Sequence, residues 1–180
     1  MLKHNYLRTV KRLKLFKGSK SFSDIVDNIV AHSEEEIDRG DAFEVFAEAY
    51  LTLGFNSPYN KVFPENELTP EHFNRLQITR TDKKVRGIDG VIETSNKEFH
   101  TYQVKFDSSR DKLSWNKLTG SVAASDHADA LLIFTNAKDI DRDIKKRKVP
   151  TYTIRYDKLE ELTVSDLKRI EHLIYKGQIK

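Results

Sequence analysis

Arg86-Gly87-Ile88-Asp89-Gly90-Val91-Ile92-Glu93 and Phe99-His100-Thr101-Tyr102-Gln103-Val104-Lys105-Phe106 flank the polar segment Thr94-Ser95-Asn96-Lys97-Glu98. Both flanks are rich in β-branched and aromatic residues and the link is polar, which predicts two strands joined by a hairpin loop. Side chains alternate faces along a strand, so Gln103 and Lys105 are expected on one side, with Tyr102, Val104 and Phe106 on the other, facing a core. Pairing across the hairpin sets Asp89 on the neighbouring strand. A carboxylate, an amide and an ammonium group then converge on one patch of sheet.

Upstream, the run Gly40 to Gly54 places Phe43, Phe46, Ala47 and Tyr50 at helical spacing, with Asp41 as a candidate N-cap and Gly54 as the residue that ends the helix. Residues 1–20 are basic, with Leu2, Tyr6, Val10 and Leu13 spaced as one helix face. Ser23 is expected to cap a helix over 24–38, with Ile25, Ile29 and Val30 inward. Residues 55–80 contain three prolines and read as loop, with a short strand near 60–63.

Downstream, 112–125 reads as a helix with Leu113, Leu118 and Val122 inward, and Asp129–Asn136 is the apolar run of a buried central strand. A charged helix over 138–147, a strand Thr151–Tyr156 and a terminal helix Asp166–Tyr175 complete the chain. Antiparallel strands followed by helix-separated strands imply an α/β fold, a mixed sheet flanked by helices. The expected organisation is a basic helical extension (1–39) packed on the domain, a core (40–160) and a C-terminal helix or linker (161–180).

The 180 residues include no cysteine, which excludes disulfide scaffolds, zinc ribbons and cysteine nucleophiles. No apolar run approaches the roughly 20 residues of a membrane span, and the N-terminus lacks the apolar centre of a signal peptide. A cytoplasmic location is the expectation. The chain has no Walker A, GxGxxG or GxSxG motif, so nothing supports nucleotide, dinucleotide or serine-hydrolase chemistry. The net charge is only +3, with the basic residues clustered. Lys83, Lys84, Arg86, Lys112 and Lys117 are candidate nucleic-acid contacts. Trp115 is either a further contact or part of the core. Lys145–Lys148 reads as a solvated helix end.

Phosphodiester hydrolysis needs a carboxylate that holds a hard divalent cation and a cation-assisted attack by water. It also needs a positive group where charge builds on the phosphate. Asp89 in an apolar strand is costly to bury without a partner or metal. Lys105 between Val104 and Phe106 suits the third role, with an edge-strand lysine as the competing reading. Gln103 offers a neutral oxygen, and the Val104 carbonyl could complete a ligand set. Glu44 stands three residues after Asp41, a spacing that also suits a capping pair. Glu93, on the same strand face as Asp89, is either a further acid of the site or a solvated strand end.

Asp89…Gln103-x-Lys105 behind a helix bearing Glu44 resembles the PD-(D/E)xK nuclease superfamily. It is most similar to the Mrr-type restriction endonuclease branch, where Gln commonly holds the middle acidic position. Gly40-x-x-Phe43-Glu44, the strand Ala130–Phe134 and the strand near Thr151–Tyr156 extend the resemblance over about residues 40–157. Ile88 and Gln103 depart from the pattern that names the superfamily. The resemblance implies a restriction-endonuclease-like fold and Mg²⁺- or Mn²⁺-dependent cleavage of DNA. Asp89 would be the main metal ligand, Glu44 an auxiliary acid and Lys105 the catalytic lysine. It also implies DNA as partner, a fused or associated helicase or recognition domain, and a homodimer on DNA. A catalytically inactive DNA-binding or adaptor module and an RNA-directed nuclease are the alternatives.

Overall fold

The computed structural model describes residues 1–33, 35–55, 59–78, 80–81, 84–85, 87–141 and 148–177. The hairpin forms as β4 (Gly90–Thr94) and β5 (Phe99–Lys105), antiparallel, with Gly90 opposite Tyr102 and Ile92 opposite His100. On one side β1 (Tyr59–Pro64) adds antiparallel to β4. On the other, β7 (Ala130–Thr135) adds parallel to β5, and β9 (Thr151–Ile154) parallel to β7. The result is a five-stranded mixed sheet in the order β1-β4-β5-β7-β9. Two short ladders lie outside it: β2 (Arg80–Thr81) with β3 (Lys84–Val85), and β6 (Lys112–Leu113) with β8 (Asp139–Ile140).

Strand alternation sorts the sheet into two apolar faces. Ile92, Tyr102, Val104, Leu132, Phe134 and Ile154 face the larger cluster, built with the helices α1 (Leu7–Leu13), α2 (Phe22–His32), α3 (Glu36–Leu53) and α7 (Val164–Lys176). Leu131 and Ile133 face the opposite side, under α5 (Thr119–Ala124). Val91 packs there with Leu76 of α4 (Pro70–Leu76). The remaining helix is α6 (Tyr156–Glu160). Helix α3 is buried from Ala42 to Leu51, Glu44 excepted, while its charged first turns are not. Phe43 and Tyr50 each lie 5.4 Å from the Phe134 ring, so aromatic edges weld α3 to the central strand.

Several expectations change. Helix α2 is capped by Ser21, not Ser23: the Ser21 hydroxyl accepts the Asp24 N–H at 3.1 Å and the Asp24 carboxylate accepts the Ser21 N–H at 3.2 Å. It ends at His32, and α3 then starts at Glu36. Asp41 and Glu44 therefore stand inside α3, where the backbone N–H groups already have helical partners, and the capping reading of this pair does not apply. Gly54 ends α3 at φ +65°, as expected.

Residues 55–80 are more ordered than their prolines suggested. After β1 come a 3-10 turn (Glu65–Glu67) and α4, which Thr69 precedes and Pro70 opens. Only Thr119–Ala124 of the 112–125 segment is α-helical. Lys112–Leu113 pairs with Asp139–Ile140, which lets Leu113 and Ile140 bury together. The expected helix over 138–147 thus begins as strand, and its residues 142–147 lie outside those described. Leu2, Val10, Leu15 and Phe16 join the same core as the sheet.

Candidate active site

Asp89 immediately precedes β4. Its N–H donates to the Tyr102 carbonyl (2.9 Å) and its carbonyl accepts from Glu65 N–H (2.9 Å), so the backbone is held from both flanks. Beyond this point the ladder with β5 stops. Val104 is two residues past Tyr102, so its N–H and carbonyl face the same way as those of Tyr102, toward Asp89. The Val104 N–H donates to Asp89 Oδ2 at 2.6 Å, taking the place of a ladder hydrogen bond. Gln103 Nε2 donates to the same oxygen. Both hydrogen bonds that described residues make to this carboxylate end on Oδ2, and Asp89 lines a cleft of about 760 Å³.

The cleft lining contains Asp89, Gln103, Val104, Lys105 and Glu44 together. Burial pushes the Asp89 carboxyl well above the usual carboxylate range, and the negative charge of Glu44 pushes it further. The Val104 N–H and the Lys105 ammonium oppose this, while Glu65 adds to it. A desolvated carboxylate beside other acids, with one oxygen free of hydrogen bonds from described residues, is what a hard cation with oxygen ligands would stabilise. Among the described residues no three His, Cys, Asp or Glu side chains gather into a cage. The donor set is therefore sparse: Asp89, Glu44 and the Val104 carbonyl. That fits Mg²⁺, which commonly keeps several waters and takes one or two carboxylates.

Gln103 has a defined task here. Its Oε1 accepts from the Ser121 hydroxyl at 2.9 Å, so its amide NH₂ is turned to Asp89. Ser121 is fixed in turn: Ser125 Oγ donates to the Ser121 carbonyl at 2.6 Å, and Thr101 Oγ1 donates to Ser125 Oγ at 2.7 Å. Ser121 can reach Gln103 because α5 comes down onto the turn before β4. A Cβ at Gly87 (φ +91°) would lie 2.4 Å from the Gly120 carbonyl oxygen, so only glycine permits this approach. Ser121→Ala leaves the buried Gln103 oxygen without its donor and is expected to cost about 1–3 kcal/mol of stability. Denaturant unfolding of the variant beside the wild type would check this.

The rim is basic. Lys112 and Lys117 line the cleft, and Lys117 Nζ is paired with Asp107 at 2.9 Å while staying largely exposed. Burial raises the Asp107 carboxyl, but the Ser109 hydroxyl, Lys117 and the Ser109 N–H outweigh it and hold it below the usual value. Asn136, at the end of β7, brackets Asp107 by accepting its N–H (2.7 Å) and donating to its carbonyl (2.9 Å). Lys83 and Arg86 lie outside the described residues, as do Lys145–Arg147, and only the backbone of Lys84, in β3, is described. Glu93 stands at the far end of β4, paired with Lys97 at 2.7 Å and Lys61 at 3.7 Å, away from Asp89. Trp115 packs against the Leu113–Leu118 cluster. Glu65, Ser121, Asp107 and Asn136 escaped the sequence reading. The first sits in a stretch that reads as loop, Asp107 follows β5 with no motif to mark it, and Ser121 and Asn136 become neighbours of the hairpin only through tertiary contacts.

A mixed five-stranded sheet with helices on both faces is a restriction-endonuclease-like fold, and here its hairpin ends at a carboxylate-lined cleft. No family model and no curated protein matches the chain. Among solved structures, it is similar to the ATP-dependent Type ISP restriction-modification enzyme LlaBIII bound to DNA, at 18% identity and TM-score 0.50 over 76% of this chain. It also matches the DNA modification-dependent restriction endonuclease AspBHI, at 15% identity and TM-score 0.45 over 86% of this chain. The chain spans 8% of the LlaBIII chain and 35% of the AspBHI chain. At 18% identity the likeness to LlaBIII is one of fold. Among the described residues no helix is long and apolar enough to cross a membrane.

Proposed function

We propose that this chain is a Mg²⁺-dependent DNA endonuclease domain of the PD-(D/E)xK, Mrr-type kind, working as the nuclease module of a larger helicase- or recognition-containing assembly. The observation that supports this most is the convergence of Asp89, Glu44, the Val104 carbonyl and Lys105 on one cleft, with Asp89 desolvated. A bound Mg²⁺ (or Mn²⁺) would supply Lewis-acid stabilisation of the phosphate and acidify water. Asp89, Glu44 and the Val104 carbonyl would hold it. Gln103 orients Asp89 instead of competing for the ion, because its oxygen is engaged by Ser121. Lys105 lines the cleft and its charge lowers the pKa of the Asp89 carboxyl, which supports a role for the ammonium in offsetting charge that grows on a phosphate seated there. Lys112 and Lys117 at the rim would hold flanking phosphates, a sequence-independent contact.

Incubating the purified chain with supercoiled plasmid tests this reading. Nicking that requires Mg²⁺ or Mn²⁺ and stops with EDTA is the expected result, with little sequence preference. An intact plasmid under saturating cation contradicts it. The amide at Gln103 in place of an acid favours a second reading, a DNA-binding module without turnover, for which the same plasmid would be retarded but uncut. Matched DNA and RNA oligonucleotides separate deoxyribonuclease from ribonuclease action.

A further inference from the structure

Glu44 reaches the cleft from α3, but it is not held by the cleft. His4 Nε2 lies 2.8 Å from Glu44 Oε2, across 40 residues of sequence. The cleft lining includes Glu44 and not His4, so the imidazole meets Glu44 from outside that lining. The tautomer follows from the other ring nitrogen. His4 Nδ1 accepts the Tyr6 N–H at 3.1 Å, so the ring proton sits on Nε2 and is donated to Glu44.

The segment carrying His4 is anchored independently of that contact. Lys3 N–H and His4 N–H donate to the two oxygens of Glu48, one turn further along α3, at 2.9 and 3.2 Å. Asn66 Nδ2 donates to the Lys3 carbonyl at 2.9 Å, and Lys3 Nζ pairs with Glu67 at 2.5 Å. Tyr6 OH donates to Asp38 at 3.0 Å. The strap therefore joins α3 to the 3-10 turn whose Glu65 N–H holds the Asp89 carbonyl. It bridges the helix that carries Glu44 and the turn that holds the Asp89 backbone.

We propose that His4 is a positioning residue of the cation site. It clamps Glu44 Oε2 from outside so that Oε1 is presented to the cleft, and the N-terminal strap is thereby a working part of the site. Carboxylates that hold a metal are themselves fixed by hydrogen bonds from outer partners, and a ring oriented through one nitrogen can supply one through the other. The inference rests on the nuclease reading and adds a residue to it.

The test is Mn²⁺ titration by calorimetry on the full chain, with a thermal melt of each variant. His4→Ala is expected to weaken Mn²⁺ binding about tenfold. His4→Gln, whose amide NH₂ comes near the position of Nε2, should recover most of the loss. In a Glu44→Ala background, His4→Ala should add no further loss, because the residue it acts through is gone. Equal Mn²⁺ affinity in wild type and His4→Ala overturns the inference and leaves the nuclease reading standing. So does a His4→Ala loss that persists undiminished without Glu44, or one that His4→Gln fails to relieve. Absence of Mn²⁺ uptake by the wild type overturns the nuclease reading, and this inference with it.

Discussion

Asp89→Asn is expected to cut DNA at least ~10³-fold more slowly than the wild type, and to melt at a higher temperature when no divalent cation is present. The rate loss follows from removing the charge that would anchor the cation, since about 4 kcal/mol of transition-state stabilisation corresponds to about 10³ in rate. The stability gain follows from the raised pKa of Asp89. A carboxyl whose folded-state pKa lies above its unfolded value contributes stability that is fully present below the unfolded value and is lost as pH rises through the folded one. The wild-type cation-free protein should therefore lose melting temperature over that window. Asp89→Asn should remove this part of the profile and gain roughly 2–4 °C for each kcal/mol relieved. Cation and proton compete for the same carboxylate, so Mn²⁺ affinity of the wild type should climb through the same window. Melting curves across pH, with and without Mn²⁺, check both signs. A variant less stable than wild type at neutral pH would show that Asp89 is structural.

Lys105→Met is expected to lose about 10²- to 10³-fold in single-turnover cleavage, the scale of removing one charge-stabilising donor from an active site, yet to keep its Mn²⁺ uptake. Met keeps an apolar stem of similar length, so the change isolates the ammonium. Removing the Lys105 charge also lifts one of the influences that lower Asp89's pKa. The pH at which Mn²⁺ binds should therefore move upward. Loss of cation uptake together with cleavage would instead assign Lys105 to the integrity of the site. Undiminished cleavage would remove it from the chemistry.

The hairpin and its alternation were legible because both are local. Strand periodicity puts Gln103 and Lys105 on one face, and the short polar link brings Asp89 beside them. The buried run Ala130–Thr135 and the apolar face of α3 were legible for the same reason: their patterns lie within single elements. Illegible were the contacts that close the site from a distance. His4 and Glu44 are 40 residues apart, Ser121 and Gln103 18, and Asp107 and Asn136 29. His4 and Ser121 belong to no motif, and a helix of small residues such as Thr119–Ala124 carries no periodic signal. The start of α3 was misplaced because Gly40-Asp41 imitates a helix start. Residues 55–80 were read as loop because Pro64 and Pro70 punctuate elements that begin or end at them.

Diffraction from crystals soaked in Mn²⁺, collected at the manganese absorption edge, tests the arrangement most directly. A single anomalous peak within coordination distance of Asp89 Oδ1 and the Val104 carbonyl, on the side facing Glu44, is the predicted result. A map without a peak there, or with manganese bound only elsewhere on the chain, would contradict the assignment of this cleft as a divalent-cation site.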